Sequence, residues 1–303
     1  MTTAAPLRIA AAQYPIERFA TLGDYRDKLA RWVAEAAGAG AELLVFPEYG
    51  AMEYAGASSD AVAGDLAASL AAVSDALTAM DAAHAELAQR HKVHILAASG
   101  PSARPGSRYV NAARLFTPAG RIGVQEKLIM TPFERNWGVS SGEALRVFET
   151  ELGRIGVAIC YDSEFPLLVR AQAEAGAQII LVPSCTEFRS GYSRVRTAAM
   201  ARALENTCVS VLSPTVGDAP WSPAVDRNAG AAGVYVPADH GFSETGILAE
   251  GTLNQPQWVY ADVNLARLQH IKQTGEMRNS TDWTAQPGAA PLAANVETVP
   301  LEP

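Results

Sequence analysis

Three residues of this 303-residue chain end apolar runs with groups able to do chemistry. Glu48 closes Leu44-Val-Phe-Pro-Glu48, Lys127 follows Val124-Gln-Glu126, and Cys160 ends Ile155-Gly-Val-Ala-Ile159. A thiol is a poor nucleophile until deprotonated, so it needs a base or a nearby cation. Glu48 could take its proton. Lys127 could lower the thiol pKa and hold the negative oxygen that develops on an attacked carbonyl. Each residue also has a purely structural reading: a loop carboxylate, a solvated ammonium, a small apolar side chain filling a core. Cys185 in Val182-Pro-Ser-Cys185 is a rival thiol, because it too follows an apolar run, and Cys208 opens one.

The elements that must position these groups follow from periodicity and punctuation. Strands are expected at Leu7 to Ala12, Glu42 to Phe46 and Val93 to Ala98, then as hairpins at Val110 to Phe116 with Arg121 to Leu128, and Leu145 to Phe148 with Ile155 to Ile159. Further strands are expected at Gln178 to Val182, Cys208 to Leu212, Gly233 to Val236, Gly246 to Glu250 and Gln257 to Val263. Between them the pattern predicts a helix capped by Asp24, one or two amphipathic helices over the Ala-rich residues 61 to 88, and helices near Phe165 to Ala175, Tyr192 to Asn206 and Leu265 to Ile271. Gly100 to Gly106 reads as a loop. Helices alternate with strands while hairpins interrupt the alternation, so the sheets are mixed and the class is α/β. A cysteine at the carboxyl end of such a strand lies where open α/β sheets place ligands. One compact domain over residues 1–285 is expected. An Ala/Pro-rich tail from Gln286 to residue 303 reads as weakly ordered or wrapped around a partner subunit.

Composition narrows the partners. A net charge of −8 and a pI near 5.2 argue against nucleic acid. No uninterrupted apolar run is long enough to span a bilayer, so no membrane role is expected. The start, Met1-Thr-Thr-Ala-Ala-Pro6, lacks the basic and apolar regions of a secretory leader. Three cysteines without a CxxC pair fit a reduced, cytoplasmic protein. The five histidines show no ligand spacing, and no GxGxxG or GxxxxGK[ST] follows a strand, so metal and nucleotide motifs are lacking.

The ordered set Phe46-Pro-Glu48, Glu126-Lys127 and Ile159-Cys-Tyr-Asp162 resembles the nitrilase (carbon–nitrogen hydrolase) superfamily. Ala10 to Gln13, Asn111 and Ala201-Arg-Ala-Leu-Glu-Asn206 agree with its first strand, its strand Asn and its ARAxEN helix. The resemblance spans roughly Leu7 to Val263. It implies a four-layer αββα sandwich with two mixed sheets, the three groups meeting between them. It also implies Cys160 as nucleophile, Glu48 as general base and acid, Lys127 as oxyanion donor, and the Tyr161 backbone N–H completing the oxyanion hole. Glu134, in Thr131-Pro-Phe-Glu134, fits the family's second Glu, with Glu126 and Glu143 as neighbours to weigh against it. Cys185 would lie on a loop lining the pocket.

Tyr161-Asp162, where true nitrilases usually carry Trp-Glu, resembles the amidase-like branches, which act on amides or N-carbamoyl groups. Leu167 departs from the family's frequent FPE at that point. The implied reaction is hydrolysis of a small carboxamide through a cysteine thioester, releasing ammonia and a carboxylic acid and needing no cofactor. Hydrolysis of an N-carbamoyl compound or a nitrile, and a silent binding protein of the same fold, are the alternatives. Tyr49, Tyr54, Phe133, Trp137, Phe188, Tyr192 and Trp221 are candidate pocket aromatics, and Arg135, Arg189 and Arg194 candidate partners of a substrate carboxylate. A homodimer or higher homo-oligomer is expected from the family's habit of pairing.

Overall fold

The computed structural model describes residues 5–105, 107–276, 278–292 and 296–302. Its strands form one continuous hydrogen-bonded path, a curled mixed sheet flanked by helices. The α/β class expected from the alternation of elements holds.

The curl turns on the first strand, Leu7–Pro15. Along most of its length it pairs antiparallel with Gln257–Val263 and, at residues 9–11, parallel with Leu43–Val45. Only Tyr14 and Pro15 reach Thr215 and Val216 of the strand Val209–Asp218. That strand carries the second half, pairing parallel with Ile179–Ser184, which in turn pairs parallel with Gly153–Val157. The period of two along a strand then sorts side chains into two cores. Ile9 and Ala11 pack with Val157, Ile159 and Val211, while Ala10 and Ala12 pack with Leu29, Val33 and Val73 of the helices Leu22–Gly38 and Leu66–His91.

Several elements differ from expectation for identifiable reasons. Thr21, not Asp24, caps the first helix; Asp24 is the third helical residue and completes a capping box with Thr21. The Ala-rich region divides into Asp60–Ala63 and Leu66–His91, where Asp65 caps the second helix. Among the described residues, Leu66–His91 is the one helix long and apolar enough to cross a bilayer by length and composition, although charges interrupt its sequence. It buries Leu70, Val73, Leu77, Met80 and Leu87. The loop expected at Gly100 to Gly106 is largely the strand Gly100–Arg104. It ends the sheet path and pairs on one side only, so Pro101 forfeits no ladder bond on its free side. Part of the tail joins the sheet. Val296–Pro300 pairs parallel with Leu145–Thr150, and Leu301 is buried.

Candidate active site

Glu48, Lys127 and Cys160 follow the strands Leu43–Val45, Ile122–Glu126 and Gly153–Val157, and all three line one cavity of about 460 Å³. The chain bends sharply at two of these points. Tyr49 has φ +50° and Cys160 has φ +47°. A left-handed backbone at a non-glycine residue costs about 1–3 kcal/mol, so the surrounding structure must hold both turns. The cysteine strand ends at Val157, and Cys160 opens the 3-10 turn Cys160–Glu164.

Lys127 is the electrostatic centre. Its Nζ donates to Glu48 Oε1 at 2.7 Å and to Glu134 Oε2 at 2.7 Å. All three side chains are almost completely buried. Glu134 also accepts from Tyr49 OH at 2.9 Å, Asn111 Nδ2 at 3.2 Å, and Thr131 N and Oγ at 2.9 Å each. Thr131-Pro-Phe-Glu134 forms the capping box of the short helix Pro132–Trp137, so one carboxylate caps the helix and pairs with the lysine. Glu126 and Glu143 instead engage Arg104. Asn111 Nδ2 reaches Glu48 Oε1 at 3.0 Å, while its Oδ1 accepts from Ser99 Oγ at 2.7 Å. The second oxygen of Glu48 accepts the Cys185 N–H at 3.0 Å.

These contacts set the proton positions. Burial pulls the Lys127 ammonium toward neutrality, but the charges of Glu48 and Glu134 outweigh it and hold the proton firmly. Burial pushes the Glu48 carboxyl up, with Lys127 opposing and Glu134 adding to the rise. Burial also acts on Glu134, yet Lys127 and Thr131 bring it below its ordinary value. The Cys160 thiol is pushed well up by burial and by the Glu48 charge. Lys127 does draw it down, as expected from the sequence, but the opposing influences win and the resting thiol keeps its proton. Cys160 Sγ makes a long contact of 4.0 Å with the Cys185 carbonyl. The Cys185 thiol, in contact with Asn228 Oδ1 at 3.4 Å, is pushed up to about 12, chiefly by burial.

The remaining candidates separate clearly. Tyr49, Phe133, Trp137, Tyr161, Cys185, Phe188 and Arg194 line the cavity. Tyr54 does not: its ring packs edge-on against Tyr25 at 6.0 Å, because the 3-10 turn Gly50–Ala57 faces the first helix. Trp221 covers Gly56, and Tyr192 is buried beside Arg196 and Glu250. Arg135 and Arg189 are absent from the lining, whereas Arg194 pairs with Glu164 at 3.5 Å. Leu167 is exposed in the first turn of the helix Pro166–Glu174. Ser99 and Thr131 were missed in the sequence; the S/T-x-x-E pattern at Thr131 was the available signal for the latter. Among the described residues, no group of His, Cys, Asp and Glu side chains has the arrangement of a metal site.

The family model for carbon-nitrogen hydrolases matches residues 8–273, and the chain belongs to that family, within the nitrilase superfamily. It is 35% identical over 284 residues to a probable hydrolase, YhcX, of Bacillus subtilis, covering 92% of this chain and 54% of that one. It is 27% identical over 260 residues to the omega-amidase NIT2 of Danio rerio, covering 80% of this chain and 83% of the relative. The carbon-nitrogen hydrolase from Helicobacter pylori G27 has the same fold, with a TM-score of 0.72, 18% identity and coverage of 88% and 92% of the two chains. The chain spans about half the length of the first curated relatives it matches.

Proposed function

We propose that this chain hydrolyses the C–N bond of a small carboxamide through a thioester on Cys160. One observation carries the reading: a buried ammonium gripped by two carboxylates at 2.7 Å in the cavity that also holds the thiol. A lysine so fixed has no freedom to act as a base, but it is preorganised to stabilise negative charge developing on an attacked carbonyl. The Tyr161 backbone N–H is assigned as the second donor to that oxygen. The raised Glu48 carboxyl suits a group that must accept and return a proton.

In the proposed sequence Glu48 takes the thiol proton as sulfur attacks the amide carbon. The tetrahedral adduct collapses to the thioester as Glu48 returns the proton to the leaving nitrogen, releasing ammonia. Water then attacks the thioester with Glu48 as base, and the acid leaves as the thiol recovers its proton. Two moderate barriers replace one high one. No step requires a metal or organic cofactor. We also read the two cores as parts of the αββα stack that the family resemblance implies, with the reacting groups between its sheets.

The test is a panel of amides, ureido compounds and nitriles assayed for ammonia, acid and CO2. Turnover of amides, abolished in Cys160→Ala and retained in Cys185→Ala, supports the proposal. Release of CO2 from ureido compounds, or turnover confined to nitriles, replaces the substrate class. Turnover surviving in Cys160→Ala sinks the nucleophile assignment, and no turnover of any compound with an unreactive Cys160 favours the silent binding protein.

A further inference from the structure

The turn presenting Cys160 carries a second buried side chain that the proposed reaction does not use. Asp162 is 3% exposed, and its carboxylate faces backbone donors. Its Oδ1 accepts from Ile129 N at 2.8 Å and Leu128 N at 3.2 Å, and its Oδ2 accepts from Leu128 N at 3.2 Å. Those two residues come directly after Lys127. The strand ladder ends at Glu126, and Lys127 itself is held by N–H donation to the Asn111 carbonyl at 2.8 Å and by its carbonyl accepting from Gly142 N at 2.7 Å. Beyond that point Asp162 supplies the partners that a neighbouring strand no longer does.

We propose that Asp162 is a positioning residue for this reaction, tying the backbone after Lys127 to the turn that carries Cys160 so that ammonium and sulfur keep a fixed separation. This rests on the reading that Cys160 and Lys127 act together on an amide. A carboxylate suits the task because both its oxygens accept, whereas an Asn in its place would turn an N–H₂ toward one of the backbone donors. Burial pushes Asp162 up to about 7, while the Lys127 charge and the N–H groups of Ile129 and Leu128 draw it back. Such a residue is expensive as packing alone, since a buried polar group costs stability unless its hydrogen bonds are made.

The tie predicts an effect on turnover separable from thiol chemistry. In Asp162→Ala the lysine shifts relative to the sulfur, and a displacement near 1 Å lowers kcat by about 10²-fold with little change in KM. Cys160 keeps Glu48 beside it while the shifted ammonium draws its thiol down less, so alkylation by iodoacetamide, read on the Cys160 peptide by mass spectrometry, falls by clearly less than kcat. Asp162→Asn keeps one acceptor and recovers part of the lost kcat. Amide hydrogen exchange at Leu128 and Ile129 accelerates in Asp162→Ala. Wild-type kcat in Asp162→Ala overturns the proposal. So does a parallel loss of kcat and alkylation, or an Asn variant no better than Ala. If the wild type turns over no amide, the hydrolase reading fails separately; the exchange rates then decide the tie, and unchanged protection overturns it.

Discussion

Replacing Glu134 by Gln removes one charge and one acceptor from the most heavily bonded carboxylate in the cavity. Five donated bonds converge on it, from Lys127, Tyr49, Asn111 and twice from Thr131. The least costly orientation of Gln keeps its oxygen toward Lys127 and Thr131 and turns its N–H₂ toward Tyr49 and Asn111. The Tyr49 hydroxyl can reverse and accept, but Asn111 Nδ2 then faces a second donor and loses a bond. Lys127 keeps Glu48 and loses its other counter-charge. Hydrogen bonds to charged groups contribute about 1.5–3 kcal/mol each, and breaking a buried ion pair from one side costs about 3–5 kcal/mol. Because Glu48 remains, a destabilisation of about 3 kcal/mol is expected, near the lower end of that range.

The same change alters the chemistry. Glu134 helps push the Glu48 carboxyl up, so without it Glu48 becomes a weaker base, held by a lysine that now leans on it alone. A fall in kcat of about 10²-fold follows from losing much of the general-base contribution. Urea denaturation measures the first effect and ammonia release the second. An unchanged denaturation midpoint with kcat within about twofold of wild type would refute this electrostatic account, since both consequences derive from one set of contacts.

Three further outcomes are expected. Leu301→Ala should destabilise the protein by about 2–4 kcal/mol in urea, because the tail strand seats this residue in the core; an effect below about 0.5 kcal/mol would contradict that. His84 is buried between Phe46 and Phe116, and burial holds it down at about 4. The unfolded chain therefore binds this proton first as pH falls, so the His84 contribution is complete above about 6.5 and is lost toward pH 4. Wild-type stability relative to His84→Leu should drop by about 2 kcal/mol between pH 7 and pH 5, and no change over that interval would show the imidazole to be solvated. Light scattering at micromolar concentration should give the mass of a homodimer or larger assembly; a monomer would contradict the proposed pairing.

How much of this was legible in the sequence depended on the kind of information involved. Strand-ending Glu48, Lys127 and Cys160 were visible as polar breaks after apolar runs, and the order of their motifs supplied what spacing alone lacks. Glu134 was found by its place after the lysine, although its capping of a short helix was a local signal available independently. The left-handed turns at Tyr49 and Cys160 were hidden, because neither residue is a glycine and the strain is held by tertiary contacts. Tyr54 lies outside the cavity for a related reason: proximity to Glu48 along the chain does not reveal which way a 3-10 turn faces. The strand Val296–Pro300 was hidden behind the Ala and Pro that precede it, and its pairing with Leu145–Thr150 is a long-range contact that composition does not show. In the sequence Asp162 marks only a resemblance in substrate preference, while in the structure its three contacts join segments more than thirty residues apart.

The most direct test is to mix the protein with a turned-over amide, quench with acid within a turnover, and weigh the Cys160 peptide. A thioester adds the mass of the acyl group to that peptide, the adduct disappears with hydroxylamine, and Cys160→Ala forms none. Turnover with no adduct on Cys160 at any quench time, coupled with an acyl group on Cys185, would contradict the account at its centre.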